Sequence, residues 1–101
     1  MLALAVHAVA GDIPTDHASG LNQKLRQTSA TAPSALAEAA ERTLEHEKQQ
    51  CYHMARAATY QLHQHLMAAY ELKLISEKQF RSLVKQAAST YKVVTALAQP
   101  K

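Results

Sequence analysis

Apolar residues recur with a helical period along the middle of the chain, from Ser34 to about Leu72. Their steps are mostly three, four or seven residues, which places them on one face of a helix. This pattern predicts one long helix beginning near Pro33, or two helices joined by a kink near residues 57–61. The positions on the apolar face are Leu36, Ala40, Leu44, Cys51, Met54, Ala58, Leu62, Leu66 and Ala69.

A second helix is predicted over residues 77–97, where the boundary signals are stronger. Ser76 is followed three residues later by Gln79, which is the spacing of a capping box. Beyond it the apolar residues form one stripe with the period of a helix. We therefore expect the chain to turn back near residues 74–76 and to form an antiparallel hairpin. The stripe consists of Phe80, Leu83, Val84, Ala87, Tyr91, Val94 and Ala98.

The N-terminal part has a different composition. Residues 11–35 contain both glycines, two of the three prolines and many Ser, Thr and Asp residues, as is typical of loops. We expect residues 1–30 to be an irregular leader or linker that could include a short strand at 21–27, and residues 31–99 to form a helical domain. The expected fold class is all-α, a helical hairpin or, if the long helix kinks, a three-helix arrangement.

Charge adds a candidate binding surface to this picture. The formal net charge is +3, and the excess of bases lies near the C-terminal end, where a polyanion would be attracted. Four cations lie close to one line along the second predicted helix, opposite its apolar stripe. A helix face that only contacts solvent usually carries both acidic and basic side chains, whereas acidic side chains are missing on this face. These cations are Lys78, Arg81, Lys85 and Lys92.

The residues needed for metal binding or catalysis do not fall at suitable spacings. No two of the six histidines stand four apart, and the single cysteine excludes a Cys-x-x-Cys motif. Cys51 and His53 are two residues apart and point to different faces of a helix. We therefore expect no metal, no cofactor and no enzymatic activity, and we interpret Cys51 as a buried apolar residue.

The first ten residues are nearly all apolar and end in Ala8-Val9-Ala10, which resembles a signal cleavage site. No base precedes this run, however, and His7 interrupts it. No apolar stretch approaches the roughly 18 residues of a membrane span. We expect a cytoplasmic protein without a membrane partner. The alternative is a secreted helical protein that binds copper or zinc through its histidines and Cys51.

The segment from Leu72 to Lys92, LKLISEKQFRSLVKQAASTYK, resembles the N-terminal region of the TnpB/OrfB family of insertion-sequence transposases, which act as RNA-guided nucleases. Ile75-Ser76 is similar to that family's Leu-Ser-type cap, and Tyr91-Lys92 to the end of the helix that follows. Upstream, the run from Lys24 to Arg26 is similar to the family's opening Lys-Leu-Arg strand.

The resemblance implies a truncated module, because the nuclease acids and the zinc ribbon of the family are absent. Such a module would bind RNA or DNA without cleaving it. The resemblance adds Lys24 and Arg26 to the four cations as candidate nucleic-acid contacts. The alternative function is self-association through the Leu/Ala helix faces, with no nucleic-acid ligand.

Overall fold

The computed structural model describes residues 2–99, and all the regular structure in that range is helical. The predicted all-α class is therefore confirmed. Residues 2–99 form four helices rather than two or three, joined by short connections except for the loop of residues 11–20. The helices are α1 (Leu2–Ala10), α2 (Leu21–Glu41), α3 (Glu45–Glu71) and α4 (Glu77–Ala98).

The helices are arranged in a ring in the order α1, α2, α3, α4. α3 packs against α2 and α4, and α1 packs against the same two helices from the other side. Within residues 2–99, no Cα atom of α2 comes within 8 Å of one of α4. With nine residues, α1 is about 13 Å long, whereas α3 is about 40 Å long. α1 therefore completes the bundle at one end only.

The core is divided between these two ends. At the α1 end, large aliphatic side chains from all four helices and the loop after α1 pack together. At the open end, where α1 does not reach, three helices meet over small side chains. The buried cluster of the α1 end includes Val6, Ile13, Leu21, Leu25, Leu62, Leu66, Ile75 and Leu83. The buried cluster of the open end is Ala32, Ala35, Ala55 and Val94.

The expectation of an irregular leader over residues 1–30 is wrong. Residues 2–10 form α1, and α2 begins at Leu21 and continues through residue 30, so a domain boundary there would divide a helix. The expected strand at 21–27 is the first part of α2. Leu21 and Leu25 are both buried, because residues four apart share a helix face. The four-residue spacing of Leu21 and Leu25 is typical of a helix and not of a strand.

Pro33 lies inside α2 rather than at its start. A proline there has no N–H to donate to the carbonyl of Ser29, and its ring crowds the preceding turn. The neighbouring Ala32 and Ala35 are buried in the cluster of the open end. Packing of this face against α3 therefore keeps the helix continuous across a residue that normally interrupts one.

The expected long helix is divided at residues 42–44, well before the predicted kink at 57–61. Arg42 and Leu44 both have extended backbone conformations, with ψ angles of 147° and 132°. α3 then begins with Glu45 and Glu47 in its first turn, where negative charge interacts favourably with the helix dipole. The break contains no glycine or proline, so the usual signals of a boundary are missing.

The second predicted helix is confirmed closely, since α4 begins at Glu77 and ends at Ala98. The Gln79 backbone N–H donates to Ser76 Oγ over 3.1 Å, and the Ser76 N–H donates to Gln79 Oε1 over 2.8 Å. This is the predicted capping box. One member of the apolar stripe differs, because Tyr91 is 41% exposed instead of buried in the core.

Candidate nucleic-acid interface

The four predicted cations of α4 all lie on its exposed face, and we call them the basic stripe: Lys78, Arg81, Lys85 and Lys92. At about 100° per residue they fall within an arc of about 60°. The buried residues Leu83, Ala87 and Val94 lie on the opposite side of the helix. The stripe is about 21 Å long, so that it could contact several phosphates of one strand.

Carboxylates compensate little of this charge. Arg81 forms a 2.7 Å ion pair with Glu77, but both side chains remain mostly exposed, and exposed pairs of this kind are weak. Among residues 2–99, no carboxylate lies within ion-pair distance of Lys78, Lys85 or Lys92. From residue 78 to residue 101 the sequence contains no acid at all. The outer surface of α4 is therefore positive along its length.

The other two predicted contacts lie on α2, away from the basic stripe. Lys24 is exposed, close to His65 of α3. Arg26 is half-buried, and its guanidinium has two partners inside the fold: Nε donates to Asn22 Oδ1 over 2.9 Å, and Nη1 donates to His7 Nδ1 over 3.0 Å. The fold therefore does not bring Lys24 and Arg26 together with the cations of α4, and it uses Arg26 to hold α1 against α2.

Asn22 is the centre of this polar network and was not singled out in the sequence. It is 5% exposed, and its Nδ2 donates to the carbonyl oxygens of Ala10 and Ile13 at 2.8 and 2.7 Å. These carbonyls lie at the end of α1 and in the loop that follows, where helical partners are lacking. The local sequence does not reveal this role, because the two carbonyl partners of Asn22 lie 12 and 9 residues earlier in the chain.

A groove between α3 and α4 adjoins the basic stripe, with a volume of about 380 Å³. Two exposed aromatic rings line it, Tyr60 of α3 and Tyr91 of α4, which are 58% and 41% exposed. We call this feature the tyrosine groove. The sequence pattern assigned Tyr91 to the core and so missed it. The lining residues are Thr59, Tyr60, His63, Val84, Ala87, Ala88, Tyr91 and Lys92.

The histidines and the cysteine do not assemble into a site in the part of the chain that the structure describes. No group of three His, Cys, Asp or Glu residues within 2–99 is placed to hold a metal ion. Cys51 is buried, in agreement with its interpretation as a small apolar residue. Partial burial, aided by the charge of Lys24, lowers the pKa of His65.

Residues 1–96 match the family described as 23S rRNA-intervening sequence protein. The match covers all four helices except the last residues of α4. The chain belongs to this family. No curated protein matches it closely enough to be counted as a relative.

Membership of the 23S rRNA-intervening sequence protein family shows that the resemblance to TnpB/OrfB transposases is wrong. The match includes the whole of residues 72–92, the segment that carried the resemblance. The residues concerned were a helix cap at Ser76 and the end of the amphipathic helix at Tyr91 and Lys92. Any capped amphipathic helix needs such residues, so they did not distinguish the two families.

None of the helices within residues 2–99 combines the length and the apolar character that crossing a membrane requires.

Proposed function

We propose that this protein binds RNA through the basic stripe of α4, without a catalytic step of its own, and that it does so in the cytoplasm. The observation that supports this most directly is the set of four exposed cations on one face of α4, with Glu77 as the single acid of that helix. A one-sign face of this kind attracts phosphates, and each contact releases a condensed counterion.

The family description favours RNA over DNA as the polyanion, because it names an intervening sequence of 23S rRNA. The cations most directly involved are Lys78, Lys85 and Lys92, because Arg81 is ion-paired with Glu77. Lys24 remains a secondary candidate on α2. Arg26 contributes by positioning α1, because its guanidinium already has two partners within the fold.

Charge reversal on the stripe tests the proposal. We expect Lys78→Glu combined with Lys85→Glu to weaken binding of a structured RNA by about tenfold or more at low salt, as two phosphate contacts become repulsive. The measurement is filter binding across a salt series, in which the slope of log K against log salt should also become shallower. A parallel series with a DNA duplex of equal length tests whether RNA is preferred.

A matched control is Arg42→Glu combined with Lys48→Glu, which changes the net charge equally at the α2–α3 connection and the start of α3. We expect the control to retain most of the affinity. Unchanged binding by the stripe variant would mean that the stripe is only a solvated face. Equal losses in both variants would mean that net charge, not the position of α4, attracts the RNA.

Self-association is the second candidate function, and a specific observation favours it. Val93 and Leu97 of α4 are 57% and 49% exposed, on the flank that α1 would cover if it reached the open end. We expect Val93→Glu combined with Leu97→Glu to dissociate any dimer, because a charge cannot be buried unpaired. Light scattering at two concentrations measures this, and a protein that is monomeric throughout excludes this function.

A further inference from the structure

We propose that the tyrosine groove holds an unpaired nucleobase of the bound RNA, stacked between the rings of Tyr60 and Tyr91. This inference rests on the proposed RNA binding and names the class of ligand: single-stranded RNA rather than a continuous duplex. Bases in a duplex are stacked on each other, whereas an unpaired base exposes its faces to aromatic side chains.

The distribution of aromatic residues supports this assignment. All five aromatic side chains of the chain belong to α3 or α4, and three of them are more than one-third exposed. Tyr70 and Phe80 already stack on each other at the turn end, with ring centroids 4.6 Å apart and planes inclined by 12°. Tyr60 and Tyr91 have no such mutual pairing among the aromatic contacts of residues 2–99, and both present ring surface to the groove.

Charge around the groove fits a nucleotide. Lys92 belongs both to the groove lining and to the basic stripe, so a base in the groove would have its phosphates beside the stripe. On the α3 side, the segment from Lys48 to Tyr70 contains no acid. Positive charge beside exposed aromatic rings is the combination by which single strands are bound without regard to sequence.

Size and polar groups agree with the same occupant. The volume of about 380 Å³ lies near the lower end of the roughly 300–1,000 Å³ range of small-molecule sites. His63 provides a polar group within the lining. A shallower depression continues along α4 past Tyr91 to Thr95.

The test compares two probes of equal phosphate charge, a 12-nucleotide oligoadenylate and a 12-unit abasic ribose-phosphate oligomer. Both carry a fluorescein label, and binding is followed by anisotropy at low salt. We expect the wild-type protein to bind the oligoadenylate about tenfold or more tightly than the abasic oligomer. Tyr60→Ala combined with Tyr91→Ala should abolish this preference, since each stacked ring contributes about fivefold or more.

Three variants complete the design. Tyr60→Phe combined with Tyr91→Phe keeps the rings and should keep the preference. Met54→Ala removes a similarly exposed side chain from the α2 flank of α3 and should change neither affinity. The Lys78→Glu and Lys85→Glu variant should weaken binding of both oligomers while leaving their ratio nearly unchanged.

The outcomes separate this inference from the proposed function. Equal binding of both oligomers by the wild type, with both weakened by charge reversal, would overturn the groove assignment and leave RNA binding intact. Binding of neither oligomer nor of structured RNA would overturn both. If the two Tyr→Ala changes lower the molar mass in light scattering without RNA, the groove holds a second copy of the chain and the assignment is overturned.

Discussion

The α1 end and the open end of this bundle differ in how they are held together. At the α1 end, four elements enclose large side chains such as Leu25, Leu66 and Leu83, each at most 2% exposed. At the open end, three helices meet over alanines and Val94. Burying a leucine removes far more apolar area from water than burying an alanine. The difference indicates that stability is concentrated at the α1 end.

Large apolar side chains are exposed at both ends, including Leu4 and Leu72 at the α1 end. Val93 and Leu97, near the end of α4, are about half exposed, whereas Leu83 on the same helix is enclosed by α1 and α3. The tyrosine groove lies between α3 and α4, part-way between the two ends of the bundle. The short α1 thus leaves the flank of α4 with Val93 and Leu97 uncovered.

The largest expected effect is at the α1 end. Leu66→Ala should lower the free energy of unfolding by about 3 kcal/mol, because it removes apolar contacts and leaves a cavity in the best-packed region. Val94→Ala, at the open end, removes fewer atoms and should cost about half as much or less. Urea denaturation followed by circular dichroism measures both. Equal losses in the two variants would refute the uneven distribution of stability.

Asn22→Ala should lower the free energy of unfolding by about 2 kcal/mol, since the carbonyls of Ala10 and Ile13 and the guanidinium of Arg26 lose a buried partner. Hydrogen exchange should show α1 losing protection before α3. The control is Gln23→Ala, an exposed neighbour on the same helix. A loss no larger than that of the control would show that α1 is held by its apolar contacts alone.

A change at the open end should act in the opposite direction. Pro33→Ala restores an N–H that can donate to the Ser29 carbonyl and removes the crowding of the ring, so it should stabilise the protein by about 1–2 kcal/mol. The gain is smaller than the intrinsic penalty of proline because the unfolded chain also becomes more flexible. Thermal melting measures it. A lower Tm would mean that the proline conformation is needed at this point of α2.

The smallest expected effect is a dependence on pH at the α1 end. Burial and the charge of Lys24 lower the pKa of His65 in the folded state. The unfolded chain therefore binds the proton more readily, and stability should decrease as the pH falls below the ordinary histidine value of 6.5. Because the side chain is only partly buried, we expect a change in Tm of about 2 °C or less.

The control for this effect is His65→Gln, which cannot titrate. Its melting temperature should vary less between pH 7.5 and pH 5.5 than that of the wild type. If the melting temperatures of both proteins fall equally over this interval, groups other than His65 cause the pH dependence of stability.

The candidate site was only partly predictable. The cations of α4 could be placed on an outward face, because a helical period with a clear apolar stripe fixes the opposite face as well. The groove could not be found in this way. It requires Tyr60 and Tyr91, which are 31 positions apart in sequence, to face the same gap, and their ring exposure depends on how closely α3 and α4 approach.

By itself, the sequence determined the local features of this protein: the helical class, the capping box at Ser76, and α4 with cations on one face and Leu83 on the other. These follow from interactions within a few residues. Tertiary structure alone decided the break at residues 42–44, the continuity of α2 through Pro33 and the binding of α1 by Asn22. In each of these cases distant packing or hydrogen bonding outweighs local preference, because a helix is stabilised chiefly by what its apolar face is buried against.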